Sequence, residues 1–246
     1  MREAMAGHSK WKNIQHRKGA QDAKRGKIFT KIAIEITVAA RMGGGNPDDN
    51  PRLRAALVKA RAANMPKDNY TRAIKKGTGE IAGSQYLEKS YEGYGPGGVA
   101  VYVECLTDNV NRTVSEVRFA FSKFGGNLGT DGSVAWLFQR KGIIVYPQDS
   151  IPDFDALFDL ALEHGAEDVK EEDGQIEILC APEDFLGLKA KLDQICTEPS
   201  FCEVSRIPEN STAIEETKME SLEKLINTLE DNDDVQNVFH NAELTN

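Results

Sequence analysis

Cationic side chains recur at a regular spacing near the start of the chain, between residues 8 and 31. The members of this seven-residue repeat are Lys10, Arg17, Lys24 and Lys31. In a near-helical backbone each step drifts by only about 20°, so the four would form one stripe. A stripe of this kind can neutralise phosphate or carboxylate groups, and Trp11 could stack on a base or anchor the segment. Gly19 and Gly26 each destabilise a helix by about 1 kcal/mol relative to alanine. The segment could therefore form either one helix or two helices joined by a kink.

Further cations lie next to this stripe in the sequence, and others follow in a second helical pattern after Asn50. The predicted nucleic-acid-binding residues are Lys10, Trp11, Lys12, Arg17, Lys18, Lys24, Arg25, Lys27, Lys31, Arg52, Arg54, Lys59 and Arg61. The competing interpretation is a solvated helix face, which is the usual role of an isolated run of charge. The charge balance of the whole chain argues against it.

Charge is divided unequally along the 246 residues. The first 80 hold 18 Lys and Arg against 7 Asp and Glu, a net charge of +11, whereas the remaining 166 hold 12 against 32, a net charge of −20. This asymmetry is typical of a basic module that faces nucleic acid, carried on an acidic body. A membrane-surface segment fits less well, because the pattern lacks a large aromatic apolar face.

No constellation for covalent catalysis or cofactor binding stands out. Residues 77–82 (GTGEIA) fit the letters of a dinucleotide fingerprint, but they follow a helix pattern where that motif needs a strand. Residues 93–98 (GYGPGG) lack the Lys-Ser/Thr of a phosphate loop and indicate a tight connection before a strand. The four histidines are scattered, and His8 and His16 lie among cations. We therefore expect a non-enzyme with no metal, no cofactor and no small-molecule substrate.

Cysteine usage and hydropathy indicate an intracellular protein. Cys105, Cys180, Cys196 and Cys202 include no CxxC pair, so small buried thiols are favoured over a disulfide or metal framework. No apolar run approaches about 18 residues, and residues 1–12 lack the apolar stretch of a signal peptide. We expect a cytoplasmic protein without a membrane segment. Met5 is an alternative start.

Hydrophobic periodicity changes near residue 85. Before it, apolar residues at i, i+3, i+4, i+7 and i+11 predict a helix from Phe29 to Ala40, and Asn50-Pro51 predicts the start of another. After it, alternation predicts a strand at 99–103, a helix at 114–124 and a strand at 134–138. Residues 142–207 give strand-helix-strand-strand-helix-strand, the ferredoxin-like pattern. A helix at 222–229 and a strand at 235–239 remain, and they would complete the earlier sheet.

These patterns predict an α+β fold of three domains. They are a basic helical domain (1–84), a discontinuous α+β domain (85–139 and 208–246) and an inserted ferredoxin-like domain (140–207), with both α+β domains expected to be ferredoxin-like α/β sandwiches. The short helices of the first domain suggest that it moves relative to the body, or tightens on a partner.

Several long segments resemble the YebC/PmpR family. They include MAGHSKWKNIQHRKGAQDAKRGKIFTK, NPRLRAALVKARAANMPKDN, EGYGPGGVAVYVECLTDNVNRTVSEVR and FGGNLGTDGSVAWLF, all within residues 5–138. The resemblance implies the same three-domain fold. It also implies a role in gene expression: bacterial members are described as transcriptional regulators that bind promoter DNA, and a mitochondrial relative as a translational activator of cytochrome oxidase.

Two functional hypotheses follow. The first is a DNA-binding transcriptional regulator, although the connection GGGNPDDN is longer than the three or four residues of a helix-turn-helix. The second is a translation factor that binds rRNA or tRNA on the ribosome and relieves stalling or activates translation, with the basic segment on RNA and the glycine-rich loops near tRNA or peptide. Both begin with neutralisation of phosphate. An enzyme is the third and least supported alternative.

Overall fold

The computed structural model describes residues 25–196 and 198–244, which form two compact units. One unit contains Leu137–Asn210, and the other contains residues 25–136 and 211–244. Three helices precede two four-stranded sheets, so the predicted α+β class is confirmed. The described helices of the first 84 residues share a unit with the first sheet, and the predicted domain boundaries stay a prediction.

The helical region consists of α1 (Arg25–Gly43), α2 (Pro51–Ala62) and α3 (Lys67–Thr78). Both α2 and α3 pack on α1. The shared core contains Ile36, Ala39, Leu53, Ala56, Leu57, Ala60, Met65 and Ala73, with Phe29, Ile32 and Ala33 packed against it. The predicted apolar stripe of α1 therefore faces this core, and burial of that stripe holds the three helices together.

Asn50 joins the end of α1 to the start of α2. Its side-chain oxygen accepts from Leu53 N at 3.0 Å, as an N-cap does, and Pro51 occupies the first helical turn. Its amide donates to the carbonyl oxygens of Ala39 at 2.7 Å and Gly44 at 2.9 Å. The side chain is 4% exposed, so one buried amide satisfies three backbone groups.

Helix α3 approaches α1 closely at Gly77. A Cβ on this residue would lie 2.4 Å from the carbonyl oxygen of Thr37 and 2.7 Å from the Cβ of Ala40. The Thr37 hydroxyl is 2.8 Å from the Ala33 carbonyl oxygen and 3.2 Å from that of Ala73 on α3. Only glycine fits at this crossing without separating the helices.

The opposite side of α1 contacts the first sheet. Ile34 and Val38 are buried with Leu106, and Tyr86 packs against them. Helix α1 is therefore covered on two sides: by α2 and α3 on one, and by the sheet region on the other.

The first sheet has the strand order β3-β1-β2-β9. Its strands are β1 (Leu87–Tyr94), β2 (Ala100–Thr107), β3 (Asn127–Leu128) and β9 (Val235–His240). All neighbouring strands are antiparallel. Helices α4 (Val110–Lys123) and α7 (Glu216–Glu230) share its core, including Val101, Phe121, Leu222 and Val238. A two-stranded parallel sheet of β8 (Thr212–Ile214) and β10 (Ala242–Leu244) lies beside it.

Two details of this sheet differ from the prediction. β1 was not predicted, because its sequence LEKSYEGY does not alternate clearly between apolar and polar residues. Residues 134–138 were predicted as a strand, but 135–137 form a short 3-10 helix. The Glu92 carboxylate accepts the backbone N–H groups of Gly132, Val134 and Ala135 at 2.7–2.8 Å, so the N–H groups of Val134 and Ala135 do not pair with a neighbouring strand. The element order here is consequently β-β-α-β-α-β, which differs from the ferredoxin-like order expected for this sheet.

The Leu137–Asn210 unit has the predicted ferredoxin-like topology. Its strands are β4 (Phe138–Pro147), β5 (Ala166–Glu172), β6 (Gln175–Cys180) and β7 (Phe201–Pro208), in the antiparallel order β5-β6-β4-β7. Helices α5 (Phe154–Glu163) and α6 (Phe185–Leu192) cover one face. The unit begins and ends side by side, since Phe138 pairs with Pro208 and Glu209 N donates to the Leu137 carbonyl oxygen at 2.8 Å.

Replacement of Asn50 by alanine should destabilise the helical region by about 2–3 kcal/mol, because it removes an N-cap and leaves two carbonyl groups without their donor. Urea unfolding followed by far-ultraviolet circular dichroism measures the change. Asn69→Ala, at an exposed position of α3, is the control and should shift stability by less than about 0.5 kcal/mol. Equal effects of the two substitutions would contradict the role assigned to Asn50.

Candidate nucleic-acid interface

Only part of the predicted binding stripe falls within the described residues. Lys10, Trp11, Lys12, Arg17, Lys18 and Lys24 lie outside them. Arg25 is the first residue of α1. The other predicted cations are described. Two of them, Lys27 and Lys31, lie on α1, and four lie on α2: Arg52, Arg54, Lys59 and Arg61.

Lys27 and Lys31 bind the end of α7. Lys27 Nζ donates to the Asp231 carbonyl oxygen at 2.6 Å and lies 3.8 Å from its carboxylate, and Lys31 Nζ donates to the Glu230 carbonyl oxygen at 2.7 Å. Burial lowers the pKa of the Lys31 ammonium group, although the carboxylates of Glu230 and Asp233 oppose this shift. Cations at a helix C-terminus complement its partial negative charge. The two lysines therefore attach α1 to α7, and this part of the predicted stripe faces α7.

Arg52 is also engaged internally. Its guanidinium donates to both oxygens of Glu35, at 2.7 and 3.1 Å, and pairs with Glu88 on β1. The hydrogen bond to Glu35 is the main reason that the pKa of Arg52 is raised. Two carboxylates neutralise this cation, which links α2 to α1 and to the first sheet, and its role in nucleic-acid binding stays a prediction.

The other predicted α2 cations lie at the surface. Arg54 is exposed and donates to the carbonyl oxygens of Pro47 at 3.0 Å and Asp48 at 2.7 Å, which leaves the other terminal nitrogen, Nη1, available. Lys59 and Arg61 are exposed in the last turn of α2.

Helix α3 adds four exposed cations that the sequence analysis did not assign to the site. They are Lys67, Arg72, Lys75 and Lys76. Across residues 51–78 there are eight Lys and Arg residues and one acidic residue, Asp68. This local imbalance was the signal in the sequence that could have identified α3. We call the exposed cations of the two helices, Arg54, Lys59, Arg61, Lys67, Arg72, Lys75 and Lys76, the α2–α3 basic face.

The connection between α2 and α3 is short. It spans residues 63–66, and Asn64 adopts a left-handed conformation with φ of 56°. Met65 is 5% exposed and packs into the shared core, which fixes the turn. The α1–α2 connection, residues 44–50, is too long for a helix-turn-helix. The α2–α3 connection has the length of that motif.

The glycine-rich loops of the first sheet have structural partners. Gly95 packs against Leu222 and Leu225 of α7, and Gly97, with φ of 75°, lies against Ile214. The following loop is held by Glu92, while Tyr94 Oη donates to the Ser133 carbonyl oxygen at 3.1 Å. These contacts explain why the two loops have their shapes, and they form no phosphate-binding loop.

The cysteine side chains of the described residues are unreactive thiols. The four thiols are free, and burial raises the pKa of Cys105 to about 12 and that of Cys180 and Cys202 to about 11, so they are protonated at neutral pH. Within residues 25–196 and 198–244 no group of three His, Cys, Asp or Glu side chains could hold a metal ion. In the same residues no helix is both long and apolar enough to cross a bilayer.

Taken together, the described geometry is that of an α+β protein whose helical N-terminal region presents cations on two helices. Two family descriptions match the chain. "TACO1/YebC protein N-terminal domain" matches residues 9–80, and "TACO1/YebC second and third domain" matches residues 86–242. The chain belongs to the TACO1/YebC family, as its sequence motifs predicted.

Curated relatives and a solved structure agree with this assignment. Proteins named "Probable transcriptional regulatory protein" from Syntrophotalea carbinolica and Trichlorobacter lovleyi are 59% and 56% identical to this chain over 241 residues, which is 98% of this chain and 96–97% of theirs. The crystal structure of a conserved hypothetical protein from Aquifex aeolicus has a TM-score of 0.79 and 46% identity, covering 92% of this chain and 93% of that one.

Lys31→Glu should destabilise the protein by about 2–3 kcal/mol, because it places a carboxylate beside the carbonyl oxygen of Glu230 and removes a charged hydrogen bond. Thermal or urea unfolding measures the loss. Lys67→Glu, at an exposed position in the first turn of α3, is the matched charge reversal and should change stability by less than about 0.5 kcal/mol. If Lys31→Glu leaves stability unchanged, Lys31 does not attach α1 to α7. A charge reversal that includes Lys31 would therefore confound nucleic-acid binding with stability.

Proposed function

We propose that the protein is a nucleic-acid-binding regulator of gene expression that contacts phosphate through its α2–α3 basic face. The observation that carries this proposal is the concentration of seven exposed cations on two adjacent helices, in a chain whose net charge is −9. A solvated helix face would explain isolated cations, but it would not explain why residues 51–78 contain a single acidic residue.

The helices present these cations from a fixed support. Because α1 is packed between α2 and α3 on one side and the sheet region on the other, the basic residues of α2 and α3 lie on the exposed sides of these helices. Lys59 and Arg61 end α2, while Lys75 and Lys76 end α3, so these four also complement their own helix ends. Each phosphate that binds displaces condensed counterions, which makes the affinity dependent on salt.

Promoter DNA is the first target that we propose, with transcriptional regulation as the role. The names of the curated relatives support it, and so does the four-residue connection between α2 and α3. Arg72, Lys75 and Lys76 of α3 would then lie at the duplex. The proposal requires no cofactor and no covalent step, and it places the activity in the cytoplasm.

A ribosome-associated translation factor is the second candidate. The chemistry of the basic face favours it, since phosphate-type contacts of lysine and arginine act equally well on rRNA or tRNA, where shape and backbone dominate recognition. The two candidates share the same face and differ in its partner.

Reversal of three α3 cations, Arg72→Glu, Lys75→Glu and Lys76→Glu together, should weaken nucleic-acid binding about 10²-fold or more at 0.1 M salt. The reason is the loss of about three phosphate contacts, which should also reduce the slope of log affinity against log salt by about three. Fluorescence anisotropy with labelled duplex DNA and labelled rRNA fragments, from 50 to 200 mM salt, measures both quantities.

The matched control reverses three exposed cations elsewhere, Arg140→Glu, Lys191→Glu and Lys224→Glu. It changes the net charge equally and should leave most of the affinity intact. Circular dichroism must show that both variants fold. If both lose affinity equally, net charge rather than the basic face determines binding; if neither does, the interface is misplaced.

Crosslinking in cells, followed by sequencing of the attached nucleic acid, distinguishes the two candidate partners. Enrichment of promoter fragments that disappears in the α3 variant supports transcriptional regulation. Enrichment of rRNA or tRNA without promoter peaks supports the translation factor and contradicts the DNA proposal.

A further inference from the structure

Helix α3 buries one side and exposes the other. Ala73 is buried in the core of the helical region, and Tyr70 and Ile74 pack against that core. At about 100° per residue, the exposed positions between the first and last residues of the helix occupy an arc of about 120° on the opposite side. In order around this arc they are Lys75, Asp68, Arg72, Lys76 and Asn69. The arc therefore carries three cations, one carboxylate and one amide.

The side chain of Asn69 has no partner in the described part of the protein. It is exposed, and its amide forms no hydrogen bond within residues 25–196 and 198–244. Asparagine also favours a helix less than most residues do. Thr78, the other exposed uncharged polar residue of α3, donates to the Lys75 carbonyl oxygen at 3.3 Å. The Asn69 amide is thus the polar group of this helix that the fold does not use.

Asp68, the neighbour of Asn69, has a structural explanation. A carboxylate in the first turn complements the partial positive charge of a helix N-terminus. The N-cap of α3 is Pro66, which provides no side-chain acceptor for the first N–H groups, so the Asp68 carboxylate is useful there. An amide carries no net charge and gains no comparable stabilisation.

The place of Asn69 on the arc suits a group that reads the edge of a base. Arg72 and Lys76 follow it at i+3 and i+7, so two cations continue the same stripe along the helix. Phosphate contacts of such cations fix the register of a helix on a duplex, whereas contacts with base edges read the sequence. The amide of asparagine can form two hydrogen bonds with the N6 and N7 edge of adenine, in a major groove that is wide enough for an α-helix.

The support of α3 keeps this amide in place. Gly77 brings the helix against α1, and Met65 anchors the turn that precedes it. The backbone N–H of Asn69 donates to the Pro66 carbonyl oxygen at 3.0 Å. A side chain on a rigid helix can hold the geometry that base recognition needs, and the first residues of a recognition helix are the ones that contact base edges.

We propose that Asn69 reads an adenine in the major groove of duplex DNA, while cations of the α2–α3 basic face contact the neighbouring phosphates. This inference rests on the proposed function and adds the feature of the DNA that the protein recognises. The major groove of paired RNA is too deep and narrow for side chains to read, so Asn69 cannot act in the same way on an RNA helix.

Selection from a randomised duplex DNA library with the full-length protein tests the proposal. We expect an enriched sequence with a preferred adenine. Asn69→Asp keeps the shape of the side chain but replaces its donor, and a carboxylate accepts from cytosine N4. The preference at that single position should therefore change from adenine to cytosine. Fluorescence anisotropy with the two duplexes should show that their affinity ratio changes about tenfold or more.

Two further variants separate reading from charge. Asn111→Asp is the matched control, because Asn111 is exposed in the first turn of α4 and the substitution adds the same charge near a helix N-terminus. It should keep the adenine preference. Asn69→Ala removes the amide without adding charge, and it should make the four bases nearly equivalent at the position. Circular dichroism must show that each variant folds.

The possible results separate this proposal from the proposed function. An adenine preference that survives both Asn69 substitutions overturns the proposal, and so does a loss of preference at every position, because one amide reads one base pair. Duplex binding without sequence preference also overturns it, but leaves the basic face and its salt dependence in place. Binding to RNA alone supports the translation factor and excludes the reading of DNA. If the protein binds neither DNA nor RNA, the proposed function itself fails.

Discussion

The burial of α1 on two sides is the constraint on which the arrangement of charge depends. One side packs against α2 and α3, and the other brings Ile34 and Val38 against Leu106. A helix enclosed in this way can expose few of its own cations, so Lys27 and Lys31 find their partners on α7. The helices that lie outside it, α2 and α3, carry the exposed cations. Burial of apolar surface, rather than the charges themselves, thus decides which cations face outward.

The cations of the helical region consequently divide into two sets with different physical roles. Arg52, Lys27 and Lys31 connect elements by hydrogen bonds to carboxylates or to helix-end carbonyl groups. Charge-assisted hydrogen bonds of this type are stronger than neutral ones, but a cation that forms them is less available to bind a partner. Arg72, Lys75 and Lys76 carry the same formal charge at exposed positions of α3. Identical residue types therefore serve attachment in one place and stay exposed in the other.

Sequence periodicity was sufficient for much of the fold. The apolar stripe of α1, the Asn50-Pro51 start of α2 and the ferredoxin-like order of β4–β7 all follow from local patterns of spacing and capping. The secondary-structure prediction was wrong where a side chain that is distant in sequence determines the local structure. Residues 134–138 alternate like a strand, but Glu92, about 40 positions earlier, takes their N–H groups. For the site, periodicity shows that Lys27 and Lys31 share a helical face, yet it cannot show that α7, some 200 residues later, covers this face.

The antiparallel pairing of the first and last residues of the Leu137–Asn210 unit has a consequence for how the molecule could have been assembled. Because the Leu137 carbonyl and the Glu209 amide share one hydrogen bond, the incoming and outgoing chain ends are adjacent. Such a module can be inserted between two adjacent residues at the surface of a host domain, as a short hairpin loop can. Excision would leave a gap that a few residues can bridge, so the module could have been gained, lost or exchanged without reorganising the rest of the polypeptide.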